Sequence, residues 1–89
     1  MPQISFTSHL QRHVDCKAIE VDGTTVQEAL NAACDAFPKL RGYILDEVGR
    51  VRRHIMIFVD NEPLHDRERL GDPVDRESSI YVMQALSGG

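Results

Sequence analysis

The sequence predicts an α+β domain in which one main helix covers a mixed sheet of four to five strands. Apolar residues recur at helical spacing over residues 26–37, and short apolar or alternating runs of strand length lie on both sides of that stretch. Turn residues such as Asp22-Gly23 separate the runs. Because a single amphipathic helix must bury its apolar face, the sheet is its expected partner.

The first two strands are predicted near the N-terminus. Ile4-Ser5-Phe6-Thr7 alternates apolar and polar residues, which indicates a strand over about residues 3–8. Ala18-Ile19-Glu20-Val21 forms a second short strand that ends at Asp22-Gly23. Strands of this length and spacing are most simply joined as a hairpin.

The helix begins at a recognisable cap. Thr25-Val26-Gln27-Glu28 fits the capping-box pattern, in which a hydroxyl accepts from the third amide and a carboxylate makes the reciprocal bond. Pro38 disfavours the helical conformation at Phe37, so the helix is expected to stop there. The predicted core places one helix face on the sheet, with contacts among Val26, Leu30, Ala33, Phe37, Ile4, Phe6, Ile57 and Val82.

Further strands follow the helix. Tyr43-Ile44-Leu45 and the stretch from Val51 onward are predicted to form a hairpin around Gly49, which can supply a positive φ. His54–Val59 is the most apolar strand, and Asp60-Asn61-Glu62-Pro63 turns the chain. One helical turn is expected at residues 66–71, with an Asp cap and a Gly stop, and the last strand at residues 80–86.

Length and charge limit the function. A chain of 89 residues is expected to form one domain over residues 1–89, too small for a multi-domain enzyme. Its net charge of −4 argues against sequence-independent nucleic-acid binding, which needs a cationic surface. Neither a membrane span nor a signal peptide is visible, so we expect no membrane partner. Two cysteines suit a reducing compartment, which indicates a cytoplasmic location.

Several polar residues are weak candidates for chemistry. His9, His13 and Cys16 have helical spacing but lie in a predicted loop, so no metal site is expected. Cys34 adjoins the apolar helix face and is interpreted as a buried thiol. Arg50, Arg52 and Arg53 form a basic run, which is either a solvated edge or a surface that docks an acidic partner.

The face of the sheet opposite the helix is predicted to carry an apolar patch. The strand period places Met56, Phe58, Tyr81 and Met83 on that face. An apolar patch on the solvent side of a sheet marks a partner-binding surface. The alternative is that loops, the 43–53 hairpin or self-association cover it.

The last residues are the most informative feature. The last strand runs almost directly into Ser87-Gly88-Gly89, which we expect to be a flexible tail. Glycine has no Cβ, so such a tail can enter a narrow channel and present its carboxylate to a partner. At ~3.3–3.6 Å a residue, the segment from Ala85 can reach roughly 15 Å. The alternative is a frayed end without function.

The whole chain resembles the bacterial sulfur-carrier proteins of the β-grasp, or ubiquitin-like, class. That class includes the small subunit of molybdopterin synthase, the thiamine-pathway sulfur carrier and the cysteine-synthase-associated sulfur carrier. The resemblance rests on the capped helix from Thr25 to Phe37, the strand and turn from Ile55 to Glu62, and the ending Ala85-Leu86-Ser87-Gly88-Gly89. The usual family ending has Ala or Val before the glycines, where this chain has Leu86-Ser87.

The resemblance implies a function without catalytic residues in this chain. In that family an ATP-dependent E1-like enzyme adenylates the C-terminal glycine, here Gly89, and sulfur then replaces AMP to give a thiocarboxylate. The implied partners are this enzyme and a sulfur-accepting biosynthetic enzyme. ATP is used by the partner, and no cofactor is bound by the chain. Segment 41–53 makes the chain more similar to carriers of cysteine or secondary-metabolite pathways.

Ser87 and Gly88 would lie in the partner's channel, and Leu86 and the apolar patch would contact the partner. Two alternatives remain open. The first alternative is a permanent small subunit of a molybdopterin-synthase-like enzyme, and the second is a ubiquitin-like modifier that forms isopeptide bonds.

Overall fold

The structure is a computed structural model that describes residues 1–7 and 18–84. The described elements, in chain order, are β1 (Gln3–Phe6), β2 (Ala18–Glu20), α1 (Val26–Ala36), α2 (Pro38–Ile44), β3 (Ile55–Val59), β4 (Glu62–Pro63) and β5 (Ser79–Gln84).

The strands form one five-stranded mixed sheet in the order β2-β1-β5-β3-β4. β1 and β5 are parallel, and the other three pairs are antiparallel. The predicted pairing of the first two strands is confirmed, with Ile4 opposite Ile19. The α+β prediction is therefore confirmed, and β5 is the central strand that β1 and β3 flank.

Each of the first four backbone N–H groups of α1 donates a hydrogen bond. The Thr25 hydroxyl accepts from the Glu28 N–H at 3.2 Å, as the capping pattern predicts. The reciprocal bond is displaced by one residue, because the Glu28 carboxylate accepts from the backbone N–H and hydroxyl of Thr24 at 2.8 and 3.0 Å. These bonds lower the pKa of Glu28, chiefly through the Thr24 backbone N–H. The first two helical amides, of Val26 and Gln27, donate to carbonyls of the 70–72 loop.

The predicted hairpin at Tyr43–Leu45 is wrong. The chain forms a second helix there, α2, whose first residue is Pro38. Proline suits the first position of a helix because its missing N–H would have no intrahelical partner. Pro38 thus ends α1 and begins α2. Two parts of the predicted hairpin are present. Leu45 and Val51 form an isolated antiparallel bridge, and Gly49 lies in the turn between them with a positive φ of 87°.

The core lies between the inner face of the sheet and the two helices. Ile4, Val26, Leu30, Ala33 and Val82 are completely buried, as predicted. Phe37 packs against this cluster but is only partly buried. Leu40 and Ile44 of α2 are also completely buried, which explains why this segment folds as a helix.

Two turns differ in detail from their predictions. The turn after β3 places Asp60 and Asn61 at positive φ and leads into β4, an edge strand that the sequence analysis did not assign. At residues 66–71 the Asp cap is confirmed, because the Asp66 carboxylate accepts from the Arg69 N–H at 2.9 Å. That bond is the main reason that the pKa of Asp66 is lowered. The left-handed residue there is Leu70, with φ of 58°, instead of Gly71.

Candidate functional site: the outer sheet face and the tail root

The end of β5 is the point at which the chain leaves the described sheet. Val82 accepts from the Thr7 N–H at 3.1 Å on the β1 side, and Gln84 lies opposite Ile55 of β3. We call Met83 and Gln84 the tail root. Both residues of the tail root pair with β3, and β1 pairs with β5 up to Val82, so the tail root is a fixed point next to residues 85–89.

The predicted apolar patch is present on the outer face of the sheet, which α1 does not cover. Met56 is opposite Met83, and Phe58 is opposite Tyr81, in the antiparallel register of β3 and β5. Side chains of opposite residues lie about 4.5–5.5 Å apart at Cβ, so these two pairs form one cluster. We call these four residues the outer cluster.

The outer cluster is accessible within the described part of the chain. Met56 and Tyr81 are each 41% exposed, while Phe58 and Met83 are partly buried. Their inward-facing neighbours Ile57 and Val82 are buried, so the two faces of the sheet differ clearly. The predicted 43–53 hairpin is not formed as such, because its first half belongs to α2. Met83, which pairs with Met56, belongs to both the outer cluster and the tail root.

Other predicted site residues lie outside the described residues. These are Leu86, Ser87, Gly88 and Gly89 of the tail and the metal candidates His9, His13 and Cys16. Their roles stay predictions. Within residues 1–7 and 18–84, no three His, Cys, Asp or Glu side chains are grouped so that they could hold a metal ion.

Cys34 is a buried thiol, as predicted, with 2% of its surface exposed. Burial raises its pKa because the thiolate would lose its hydration. A raised pKa lowers the reactivity of a thiol, so Cys34 contributes packing to α1.

The basic run is placed at the beginning of β3. Arg50 pairs with Asp46 at 3.3 Å, and the Arg52 side chain donates to the Gly42 carbonyl of α2 at 2.8 Å. Arg53 is exposed and immediately precedes His54 and β3. The sequence alone does not connect this run with the tail, because the connection depends on the register that sets Ile55 beside Gln84.

No helix among the described residues is long and apolar enough to cross a membrane. The sequence matches no protein-family model, and no curated protein is significantly similar to it in sequence.

Solved structures with the same fold are nevertheless found. The chain superposes on CysO of the Amycolatopsis orientalis BexX/CysO complex with a TM-score of 0.88, at 21% identity and with complete coverage of both chains. For SAMP1 of Haloferax volcanii the TM-score is 0.82 at 23% identity, over 99% of this chain and 98% of that one. For Mycobacterium tuberculosis CysO it is 0.84 at 17% identity, over 97% and 100%. The chain therefore has the β-grasp, or ubiquitin-like, fold.

Proposed function

We propose that this protein is a sulfur carrier that acts as a protein cosubstrate through Gly89. The observation that carries the proposal is the placement of Gly88-Gly89 five residues or fewer beyond Gln84, the last described residue of the central strand of a β-grasp sheet. A fixed tail root with a slender glycine end suits delivery of a carboxylate into a partner's active site.

The chemistry assigned to Gly89 has three steps. A carboxylate is a poor electrophile, so an E1-like enzyme first transfers AMP from ATP to it, and pyrophosphate leaves. A persulfide sulfur of a donor protein then attacks the acyl carbon and AMP leaves, which gives an acyl disulfide. A thiol cleaves the S–S bond of this intermediate, so that the thiocarboxylate is released and the thiol forms a disulfide with the donor. The thiocarboxylate sulfur is a stronger nucleophile than the original oxygen and is passed on to a sulfur-accepting enzyme. Because adenylation consumes ATP, the proposal places the protein in the cytoplasm.

The outer cluster supports the need for a partner. An accessible apolar group beside the tail root suits a protein that docks on the sheet while it holds the tail. The Amycolatopsis neighbour was crystallised in a complex with BexX, so a protein of this fold does assemble with a second protein. We assign Met56, Phe58, Tyr81, Met83 and Leu86 to this docking surface. Ser87 and Gly88 then occupy the channel that leads to Gly89.

The direct test is the intact mass of the protein purified from its native cell. Replacement of one oxygen by sulfur adds about 16 Da, and the mass also shows whether the mature protein ends at Gly89. A population heavier by that amount, which disappears after hydrolysis of the thiocarboxylate, is the expected result. A mature protein that does not end at Gly89 would contradict the proposal.

Ubiquitin-like modification is a second candidate, which the neighbours named small archaeal modifier protein 1 favour. In that case Gly89 forms isopeptide bonds to lysines of other proteins. Trypsin cleaves after Arg76 and at no later position, so a modified lysine would retain residues 77–89. Detection of this remnant on cellular proteins would support the modifier function. A permanent subunit would instead copurify with its enzyme in a fixed ratio.

A further inference from the structure

Residues 38–54, which comprise α2 and the loop that leads into β3, form what we call the basic lobe. The lobe contains five Lys or Arg residues against two Asp or Glu, a net charge of +3. The remaining residues contain five basic against twelve acidic residues, a net charge of −7. Half of the basic residues of this acidic protein therefore lie in one segment of 17 residues, which has a net positive charge while the rest of the chain has a net negative charge.

The basic lobe lies beside the tail root. Its last residues, Arg53 and His54, run directly into Ile55, which is opposite Gln84. The acidic turn with Asp75 and Glu77 precedes β5 and so lies at the other end of that strand. Six strand residues separate the two ends by roughly 17–20 Å. The basic surface thus marks the end of the sheet from which the tail emerges.

Hydrogen bonds fix the base of the lobe. The Arg67 guanidinium donates to the carbonyls of Arg52 and Ile55, both at 2.8 Å. The Arg52 backbone N–H donates to the Ile44 carbonyl at 2.9 Å. At the tip, the Asp46 carboxylate accepts from the N–H groups of Val48 and Arg50. A surface held in this way loses little conformational entropy when a partner binds.

The exposed side chains of the lobe have the composition of a protein interface. Tyr43 is 42% exposed and Val48 is 71% exposed. Four of the five basic residues are Arg, which with Tyr is enriched at interfaces, where Lys is depleted. Asp46 and Asp35 pair with Arg50 and Arg41. No carboxylate of residues 1–7 or 18–84 lies within 4.0 Å of the Arg53 guanidinium.

We propose that the basic lobe docks an acidic surface of the activating enzyme, next to the channel that receives the tail. The inference rests on the sulfur-carrier function proposed above. The enzyme that adenylates Gly89 must surround the tail root, and among residues 1–7 and 18–84 the lobe is a basic surface that adjoins that point. The twelve acidic residues elsewhere in the chain disfavour a nucleic-acid partner and favour a protein with a local acidic patch. The lobe would orient the carrier while the outer cluster contributes apolar contact.

The test measures ATP-dependent thiocarboxylation by the cognate activating enzyme at several carrier concentrations and ionic strengths. Arg53→Glu reverses a charge in the lobe, and Arg53→Lys keeps it. Arg76→Glu is the matched control, because Arg76 is also exposed but precedes β5, at the opposite end of the sheet. At low ionic strength Arg53→Glu should raise KM about five- to tenfold with little change in kcat. Arg53→Lys and Arg76→Glu should stay within about twofold of the wild type, and added salt should reduce the difference.

The outcomes separate this inference from the function on which it rests. If the wild type gains sulfur but Arg53→Glu keeps the wild-type KM and salt dependence, the docking role of the lobe is wrong and the carrier function stands. If Arg76→Glu raises KM as much as Arg53→Glu does, net charge explains the effect and the inference is also wrong. If the wild type gains no sulfur, both proposals fail. Equal melting temperatures of the variants exclude unfolding as the cause.

Discussion

Replacement of Phe58 by aspartate is the sharpest test of the outer cluster. Phe58 is partly buried on the uncovered face, directly opposite Tyr81 of β5 and Pro63 of β4. If an activating enzyme covers this face, the new carboxylate must lose its hydration or hold the enzyme away. Loss of one aromatic anchor at an interface costs about 2 kcal/mol or more, which corresponds to roughly a 30-fold decrease in kcat/KM.

The cost to the fold should be smaller. Phe58 is not part of the inner core, and a cross-strand pair such as Phe58 opposite Tyr81 contributes about 0.2–1 kcal/mol. Thermal unfolding should therefore show a cooperative transition at a moderately lower temperature. Met56→Asp, at a more exposed position of the same cluster, gives a second variant with less effect on stability.

The assay follows the gain of about 16 Da against time with the activating enzyme, ATP and a sulfur donor. Gln3→Glu is the matched control, because Gln3 is exposed on the same face but lies on β1, opposite Ser79. That control adds a negative charge to the face away from the cluster and should be activated normally. If Phe58→Asp and Met56→Asp are folded and activated within about twofold of the wild type, the docking role of the outer cluster is refuted.

Three further predictions concern the scaffold. Leu30→Ala should lower the free energy of unfolding by about 2–5 kcal/mol in denaturant titrations, because Leu30 is completely buried; a loss below about 0.5 kcal/mol would contradict the core assignment. Gly23→Ala should cost about 1–3 kcal/mol in the same titrations, since its Cβ would lie 2.8 Å from the Ala29 backbone nitrogen; unchanged stability would show that the close approach is relieved easily. In an acid titration, the free energy of unfolding should be constant above about pH 5 and should fall below about pH 4. Hydrogen bonds hold the pKa values of Asp66 and Asp46 below their values in the unfolded chain, so their stabilising effect is lost as these carboxylates are protonated. If the free energy of unfolding of Asp66→Asn falls less steeply with decreasing pH than that of the wild type, this cause is supported. If the two proteins have the same dependence on pH, it is contradicted.

The sequence alone predicts most of the scaffold because its patterns are local. The Thr25 cap and the recurrence of Val26, Leu30 and Ala33 define α1, and strand alternation assigns the two faces of β3 and β5. The outer cluster follows from that alternation together with the presence of a single long helix. Its four residues could therefore be named before the register was known.

The parts that the sequence analysis missed depend on more than one element. The sequence prediction treats Pro38 only as the end of a helix, although Leu40 and Ile44 at i and i+4 indicate a new helical face after it. The two-residue strand β4 is too short for a periodicity. The location of the basic lobe beside the tail root follows from the antiparallel pairing of β3 with β5, which local patterns do not specify.

The measurement that tests the central claim most directly compares the wild type with a variant that lacks Gly89. Both proteins are incubated with the cognate activating enzyme, ATP and a sulfur donor, and their intact masses are recorded. Deletion shortens the tail by ~3.5 Å, and displacements of ~1 Å can cost about 100-fold in a positioned reaction. We predict that the wild type gains about 16 Da on Gly89, that Gly88→Val gains it more slowly, and that the truncated protein gains none at an unchanged melting temperature. A truncated protein that gains sulfur as fast as the wild type would show that Gly88-Gly89 is not the reactive end and that the protein is not a carrier of this kind.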